Sequence, residues 1–191
     1  MRHHRHDVVE RAVAVLDAYG LADLTMRRLA AELDVRPSAL YHHFANKQTL
    51  LAAVADALLV RSLPAARAGE GEWHVRLTAA ATQLRDALLA WRDGAELVAT
   101  VHAFGLGARQ AHDHVAAPLE DSGLDARWRA AAADAVFHLV VGHATAEQTH
   151  LQASSAGAID AGPQDGPPAS AFADSLALVV DGIRARSLRP V

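Results

Sequence analysis

Three helix-start signals lie close together near the beginning of this chain, and they constrain its fold more than any other feature. Thr25 and Asn46 have side-chain oxygens that accept hydrogen bonds from the first N–H groups of a helix, and Pro37 suits a first helical turn. Apolar residues at helical spacing follow each signal. The segment therefore predicts three short consecutive helices joined by tight turns, at residues 26–33, 38–44 and 47–62.

A fourth helix precedes these three. Val9, Val13 and Leu16 share one face of residues 7–19, and Gly20 is a typical helix stop. The short helices are expected to pack through apolar side chains, namely Leu29, Leu33, Val35, Leu40 and Phe44. This packing leaves a second set facing outward: Arg27, Pro37, Ser38, Tyr41, His43 and Lys47.

The rest of the chain also predicts helices, because alanine is abundant and strand-like alternation is absent. The predicted body helices span 73–91, a short segment after 92–94, 107–119, 125–153 and 169–186. Residues 154–168 are rich in Ser, Gly and Pro and predict a flexible loop. The expected fold is all-α, with about nine helices in an N-terminal head (1–50) and a larger bundle (51–191).

Composition excludes several classes of protein. Cysteine is absent, which rules out disulfides and thiolate chemistry. No apolar run is long enough to cross a bilayer and no secretory signal opens the chain, so a cytoplasmic protein is expected. Residues 1–50 carry seven Lys or Arg, six Asp or Glu and five histidines, whereas residues 51–191 are acidic. This distribution is compatible with a head that contacts nucleic acid and a body that does not.

Residues 24–51 read Leu-Thr-x-Arg-x-Leu-Ala-x-x-Leu-x-Val, then Leu-Tyr-x-His-Phe-x-Asn-Lys-x-x-Leu-Leu. This string resembles the DNA-binding domain of the TetR (tetracycline repressor) family. Similar segments continue in order at residues 70–73, 88–95 and 141–143. The resemblance implies a helix-turn-helix DNA-binding domain at 1–50 and an effector-binding and dimerisation domain at 51–191. It further implies a homodimeric regulator, usually a repressor, on a palindromic operator. From the residues of this chain itself, no cofactor and no metal site are expected.

The resemblance also implies DNA contacts. Arg27 would meet a guanine edge or a phosphate. Pro37, Ser38 and Ala39 would meet bases or thymine methyls at the tip of the recognition helix. The remaining contacts would hold phosphates and set the register. The full predicted set is Thr25, Arg27, Arg36, Pro37, Ser38, Ala39, Tyr41, His43 and Lys47. Arg36 departs from the tetracycline repressors, where this position is acidic.

An effector pocket is implied among the middle helices. Tetracycline-binding members have polar and metal-liganding groups where this chain has Leu63, Ala80, Val98 and Val101, so a lipophilic or aromatic effector is expected instead. The candidate lining is Leu63, Leu84, Leu88, Val98, Val101, His102, Phe104, Phe137, Val141 and His143. A stripe of mostly small residues suggests the dimer contact, although it would also suit packing within one chain: Ala131, Ala135, His138, Leu139, Gly142 and Ala146.

Two other interpretations remain open. Asp93, His102, His112, Asp113 and Ser122 are residue types used in catalysis, but they lie in no recognisable catalytic motif, so an enzyme is disfavoured. A helical ligand-binding or interaction module without operator binding is the more serious alternative. The steep fall of DNA affinity with salt that a repressor shows would separate the two. The histidines at the beginning of the chain, His3, His4 and His6, predict a mobile cationic arm.

Overall fold

The computed structural model describes residues 3–64, 71–160 and 169–188, and its regular structure is entirely helical. The α-helices in these residues are α1 (Arg5–Tyr19), α2 (Met26–Glu32), α3 (Pro37–Leu40), α4 (Lys47–Ser62), α5 (Trp73–Leu89), α6 (Gly94–Ala103), α7 (Arg109–Ala116), α8 (Ala126–Ser155) and α9 (Ala169–Ser187). A short 3₁₀ helix, Ala117–Asp121, follows α7. The predicted all-α fold is confirmed.

The three helix-start signals act as the sequence predicts. The Thr25 hydroxyl accepts a hydrogen bond from the Arg28 N–H at 3.1 Å and begins α2. Asn46 Oδ1 accepts from the Thr49 N–H at 2.9 Å, and Thr49 Oγ1 accepts in return from the Asn46 N–H at 3.3 Å. Pro37 is the first residue of α3. Local capping therefore sets the starts of α2, α3 and α4.

Some predicted boundaries are wrong. Helix α3 ends at Leu40 and not at Phe44, because the chain tightens into a turn in which the Leu40 carbonyl accepts from the N–H groups of both His43 and Phe44. Helix α1 begins at Arg5, and the Asp7 carboxylate accepts a hydrogen bond from the His4 N–H at 2.7 Å at this end of the helix. His6 is therefore part of α1, and the prediction that it belongs to a mobile arm is wrong. The predicted loop at 154–168 begins later, because α8 continues to Ser155. Residues 161–168 lie outside the described residues.

A single buried core runs from the head into the body. The predicted face of α1 is buried, with Val9, Val13 and Leu16 at its centre. Helix α4 packs against α1 in the head and against α5, α6 and α7 in the body, so it links the two lobes. Helix α8 packs against α5, α6, α7 and α9. None of the described helices is long and apolar enough to span a bilayer.

Candidate DNA-binding surface and effector site

The turn between α2 and α3 fixes the second helix of the head against the first. Asp34 adopts a left-handed conformation (φ 53°), which an aspartate tolerates better than most side chains. The Val35 N–H then donates to the Ala30 carbonyl at 3.0 Å and closes the turn. Leu29, Leu40 and Phe44 are almost completely buried between the helices. Apolar packing and one tight turn therefore hold α3 in a fixed orientation on α2.

The predicted DNA contacts are all at the surface of the head. They lie at the N-terminus of α2, along α3, in the turn after it and at the N-terminus of α4. Tyr41 is 52% exposed although it is aromatic. The side chains of His43, Lys47 and Ala39 are half-buried, and the other predicted contacts are exposed. Thr25 also caps α2, so its hydroxyl has a structural partner already.

The positively charged side chains of this surface differ in whether they already have a partner within the protein. The Arg28 guanidinium stacks on Tyr19, with 3.6 Å from Cζ to the ring centroid, and pairs with Asp23 at 3.0 Å. Within the described residues, Arg27, Arg36 and Lys47 form no ion pair, so their charges remain available to a polyanion. This separation was not visible in the sequence, where Arg27 and Arg28 are adjacent and alike.

The beginning of the chain is anchored on the helix-turn-helix. Arg5 lies over the Phe44 ring, 4.7 Å from Cζ to the centroid. A ring nitrogen of His3 lies 3.1 Å from the Leu33 carbonyl oxygen at the end of α2. These contacts join the N-terminus of α1 to the DNA-binding elements, which sequence reasoning missed because Phe44 is a residue of the core.

The predicted effector residues divide into three groups. The apolar members on α5, α6 and α8, together with Leu63, are buried. His102 packs on Phe137 with 4.3 Å between ring centroids, whereas His143 contacts Phe172 of α9. Phe104 is 57% exposed and lies in an open groove with Lys47, Thr100 and Gln152, away from the buried set. The structure thus brings His102 next to Phe137 and separates Phe104 and His143 from that contact.

Three imidazoles from three helices surround Phe137. His102 stacks on His112 at 5.9 Å and lies 6.3 Å from His138 between ring centroids, and His112 Nε2 is 2.9 Å from an Asp134 oxygen. Burial, followed by the charges of His112 and His138, lowers the pKa of His102, and Asp134 opposes this shift. No group of residues with the geometry of a metal site occurs in the described part of the chain.

The lowered pKa values of partly buried histidines predict that the folded protein is less stable in acid. Burial lowers the pKa of His114, whose Nε2 lies 3.0 Å from the Gln83 amide oxygen, and the pKa of His102 is also lowered from 6.5. At these two histidines, the unfolded chain therefore binds more protons than the folded chain as the pH falls below about 6.5, which lowers the free energy of unfolding. We expect the thermal midpoint to be lower at about pH 5.5 than at about pH 7.5. In His114→Gln, which keeps a hydrogen-bonding group, scanning calorimetry should show a weaker pH dependence, and an unchanged dependence would contradict this assignment.

Several polar contacts join α4 to the body. The Trp91 indole N–H donates to the Ser62 hydroxyl at 2.7 Å, near the C-terminal end of α4. Asp56, in the middle of α4, accepts from the Ala108 N–H at 2.9 Å at the beginning of α7. Gly107 lies so close to α4 that an added Cβ would be 3.1 Å from the Ala52 Cβ. A movement of the segment between α6 and α7 would therefore be transmitted to α4.

An apolar groove of about 320 Å³ runs along α8 and α9. Trp128, Ala135, Val179 and Ile183 line it, and Arg186 closes one side by stacking on Trp128 at 3.8 Å. Most of the predicted stripe is exposed: Ala131, Ala135, His138, Gly142 and Ala146. Most of the stripe is thus not buried by contacts within the described residues.

Comparison with known proteins identifies the class to which this head and body belong. The family described as "Bacterial regulatory proteins, tetR family" matches residues 8–54, and the family "Tetracyclin repressor-like, C-terminal domain" matches residues 63–170. Tetracycline repressor protein class A from transposon 1721 of Escherichia coli is 34% identical over 200 residues, which cover 95% of this chain and 90% of that protein.

Solved structures agree with this comparison. The crystal structure of Mycobacterium smegmatis BioQ has a TM-score of 0.85 and 40% sequence identity, and the match covers 96% of this chain and 98% of that one. The structure of BioQ with its natural double-stranded DNA operator has a TM-score of 0.81 and 40% identity, with 96% and 99% covered.

The helix-turn-helix head and helical body define a DNA-binding transcriptional regulator with a ligand-binding domain. This chain belongs to the tetR family of bacterial regulatory proteins. Of the relatives named above, one is a tetracycline repressor protein and another is a structure solved with its double-stranded DNA operator.

Proposed function

We propose that this protein is a homodimeric repressor that binds a palindromic operator and is released from it by a small lipophilic or aromatic effector. The observation that carries the proposal is the exposed surface of α2, α3 and α4, on which Arg27, Arg36 and Lys47 have no acidic partner among the described residues. The related BioQ structure contains an operator duplex, which supports the same role for this surface. Such a regulator acts in the cytoplasm, where its operator is.

The proposed contacts divide the work of recognition. Pro37, Ser38 and Ala39 are at the N-terminal end of α3, the part that a recognition helix presents to base edges. Arg27 and Arg36 supply guanidinium groups that can pair with guanine or phosphate. Tyr41, His43 and Lys47 follow α3 and would hold phosphates, and Thr25 would add a contact at the beginning of α2. The base contacts would determine which DNA sequence is bound, and the phosphate contacts would determine the position of the protein along the duplex.

Dimerisation is proposed through the groove on α8 and α9. Two copies related by a two-fold axis would place each groove against the exposed small residues of the other protomer. A symmetric dimer presents two α3 helices to two half-sites, which a palindromic operator requires.

Effector control is proposed to act through α4. The buried apolar residues of α5, α6 and α8 supply a lipophilic environment, and His102 beside Phe137 supplies an aromatic and polar contact. An effector that moves the end of α6 would displace the segment at Gly107 and Ala108, and with it α4 through Asp56. The effector releases DNA only if it binds the displaced state more tightly than the DNA-bound state.

Operator binding tests the proposal. The operator is first selected from a random DNA pool, and affinity is then measured at several salt concentrations. Lys47→Ala and Tyr41→Ala should each weaken binding at least about tenfold, because a dimer loses two phosphate contacts. For Lys47→Ala, the slope of log affinity against log salt should also fall by about 2.

Arg109→Ala, which removes an exposed cation from α7 in the body, is the matched control and should leave the slope unchanged. Unchanged binding in both Lys47→Ala and Tyr41→Ala would overturn the assigned contacts. Absent or salt-insensitive binding by the unaltered protein would instead favour a helical module without operator binding.

A further inference from the structure

The outward face of α4 is more apolar than a position at the protein surface requires. From residue 50 to residue 60, Asp56 is the only polar residue, and its carboxylate already accepts a hydrogen bond from the Ala108 N–H at 2.9 Å. A helix with apolar residues on every side is normally buried on every side. Val60 of this helix is nevertheless 68% exposed. Helix α4 thus has apolar surface that contacts within the described residues do not cover.

This face of α4 is one side of an open groove of about 660 Å³. Helix α1 forms the other side, and Leu106, 45% exposed between α6 and α7, contributes to the lining. The volume lies in the range of small-molecule sites. Along α4 the groove extends for about 18 Å, because each helical residue adds roughly 1.5 Å, and this length suits a chain-shaped ligand. The side chains of α4 that line it are Thr49, Ala52, Ala53, Asp56, Ala57, Val60 and Arg61.

The charged side chains of the groove differ in whether they have a partner. Arg61 of α4 pairs with Glu10 of α1, so these two charges offset each other. Arg5 forms no ion pair within the described residues, and its guanidinium lies over the Phe44 ring, 4.7 Å from Cζ to the centroid. Phe44 lies three positions before α4, so Arg5 marks the end of the groove at which α4 begins. The exposed imidazole of His6 lines the groove next to it.

We infer that the groove between α1 and α4 binds an organic anion of elongated shape, a carboxylate with a linear apolar tail. The carboxylate pairs with Arg5, whose planar guanidinium matches its two oxygens. The tail lies along α4 and covers the exposed apolar side chains of Val60 and Leu106. This site lies outside the buried residues of α5, α6 and α8 that are proposed for the effector. It goes beyond the proposed function and does not depend on it.

Sodium octanoate is the probe, and isothermal titration calorimetry of the unaltered protein without DNA measures its binding. We expect saturable binding of one molecule per chain, at octanoate concentrations too low for micelles. Octan-1-ol has the same tail without the charge and should bind at least about tenfold more weakly, because it lacks the charge-assisted hydrogen bonds. Acetate has the charge without the tail and should not bind over the same concentration range.

Two variants test the two ends of the ligand. Arg5→Gln removes the charge and should weaken octanoate binding at least about tenfold, while octan-1-ol binding stays unchanged. Ala57→Trp fills the groove from α4 and should weaken the binding of both molecules about tenfold or more. Ala79→Trp, at an exposed position of α5 outside the groove, is the matched control and should bind both molecules like the unaltered protein. If Ala57→Trp folds poorly, Val60→Asp replaces it, because this position is exposed.

The location of the ligand is read from methyl NMR spectra. Octanoate should shift the methyl signals of Val60 and Leu106, which line the groove, and leave those of Val98 and Val101 in the core of the body in place. The reverse pattern would place octanoate in the body and overturn the inference.

The other outcomes are equally distinct. The inference is wrong if the unaltered protein does not bind octanoate, or if Arg5→Gln and Ala57→Trp bind it as tightly as the unaltered protein does. It is also wrong if sedimentation shows self-association that Ala57→Trp abolishes, because a second copy of the chain would then cover the groove. Since none of these measurements contains DNA, a failure of the proposed function leaves their result unchanged.

Discussion

Ala135→Glu is expected to turn the dimer into a monomer and to lower operator affinity about a hundredfold or more, since the two half-sites would no longer be bound together. Ala135 is exposed in the single chain and lines the groove on α8 and α9. In the proposed dimer this groove is buried, and two-fold symmetry would place two carboxylates in an apolar contact. Removing such a charge from water without a partner costs several kcal/mol.

Light scattering and sedimentation would report the loss of the dimer directly, and circular dichroism would show that the helices remain. Ala79→Glu is a matched control, because Ala79 is exposed on α5 outside the groove. The control should remain dimeric and bind its operator. A stable dimer of Ala135→Glu would mean that the interface lies elsewhere on the molecule.

Gln148→Ala is expected to lower the free energy of unfolding by roughly 3 kcal/mol, since a buried group that loses its hydrogen-bond partner costs about 1–3 kcal/mol. The Gln148 amide donates to the carbonyls of Leu88 and Trp91 at 3.0 and 2.8 Å and accepts from the Ala95 N–H at 3.1 Å. It therefore completes the backbone hydrogen bonding where α5 ends and α6 begins. Alanine removes all three bonds at once.

Urea unfolding at a fixed protein concentration would measure this loss, since the stability of a dimer depends on concentration. Gln152→Ala, one helical turn later, removes an exposed side chain and should cost less than about 1 kcal/mol. If the two variants unfold alike, the buried hydrogen bonds of Gln148 contribute little and the corner between α5 and α6 is held by apolar packing.

The elements that local chemistry determines could be predicted from the sequence. Thr25, Pro37 and Asn46 begin α2, α3 and α4 because a cap or a proline acts on backbone groups within one helical turn. The end of α3 could not be predicted in the same way. It depends on the turn that carries Phe44 into the core, where the Phe44 ring is buried and lies against Arg5 of α1, 39 positions earlier in the sequence.

The use of individual side chains was the least predictable part. Arg28 contacts Tyr19 and pairs with Asp23, whereas Arg27 forms no ion pair among the described residues. No local sequence pattern indicates which of the two arginines has these partners. Asp93 has the sequence signature of a cap but binds Leu21, 72 positions away. Such partners follow from how the lobes pack, which neither periodicity nor spacing encodes.

The distribution of the tryptophans has a spectroscopic consequence. Trp91 donates its indole N–H to Ser62 beside the end of α4, and Trp128 lies under Arg186 in the groove on α8 and α9. Indole emission responds to hydrogen bonding and to nearby charge, so each ring is an intrinsic fluorophore for a different event. With Trp73 and one of these two replaced by phenylalanine, the remaining indole would follow either the motion of α4 or the joining of protomers, without any attached dye.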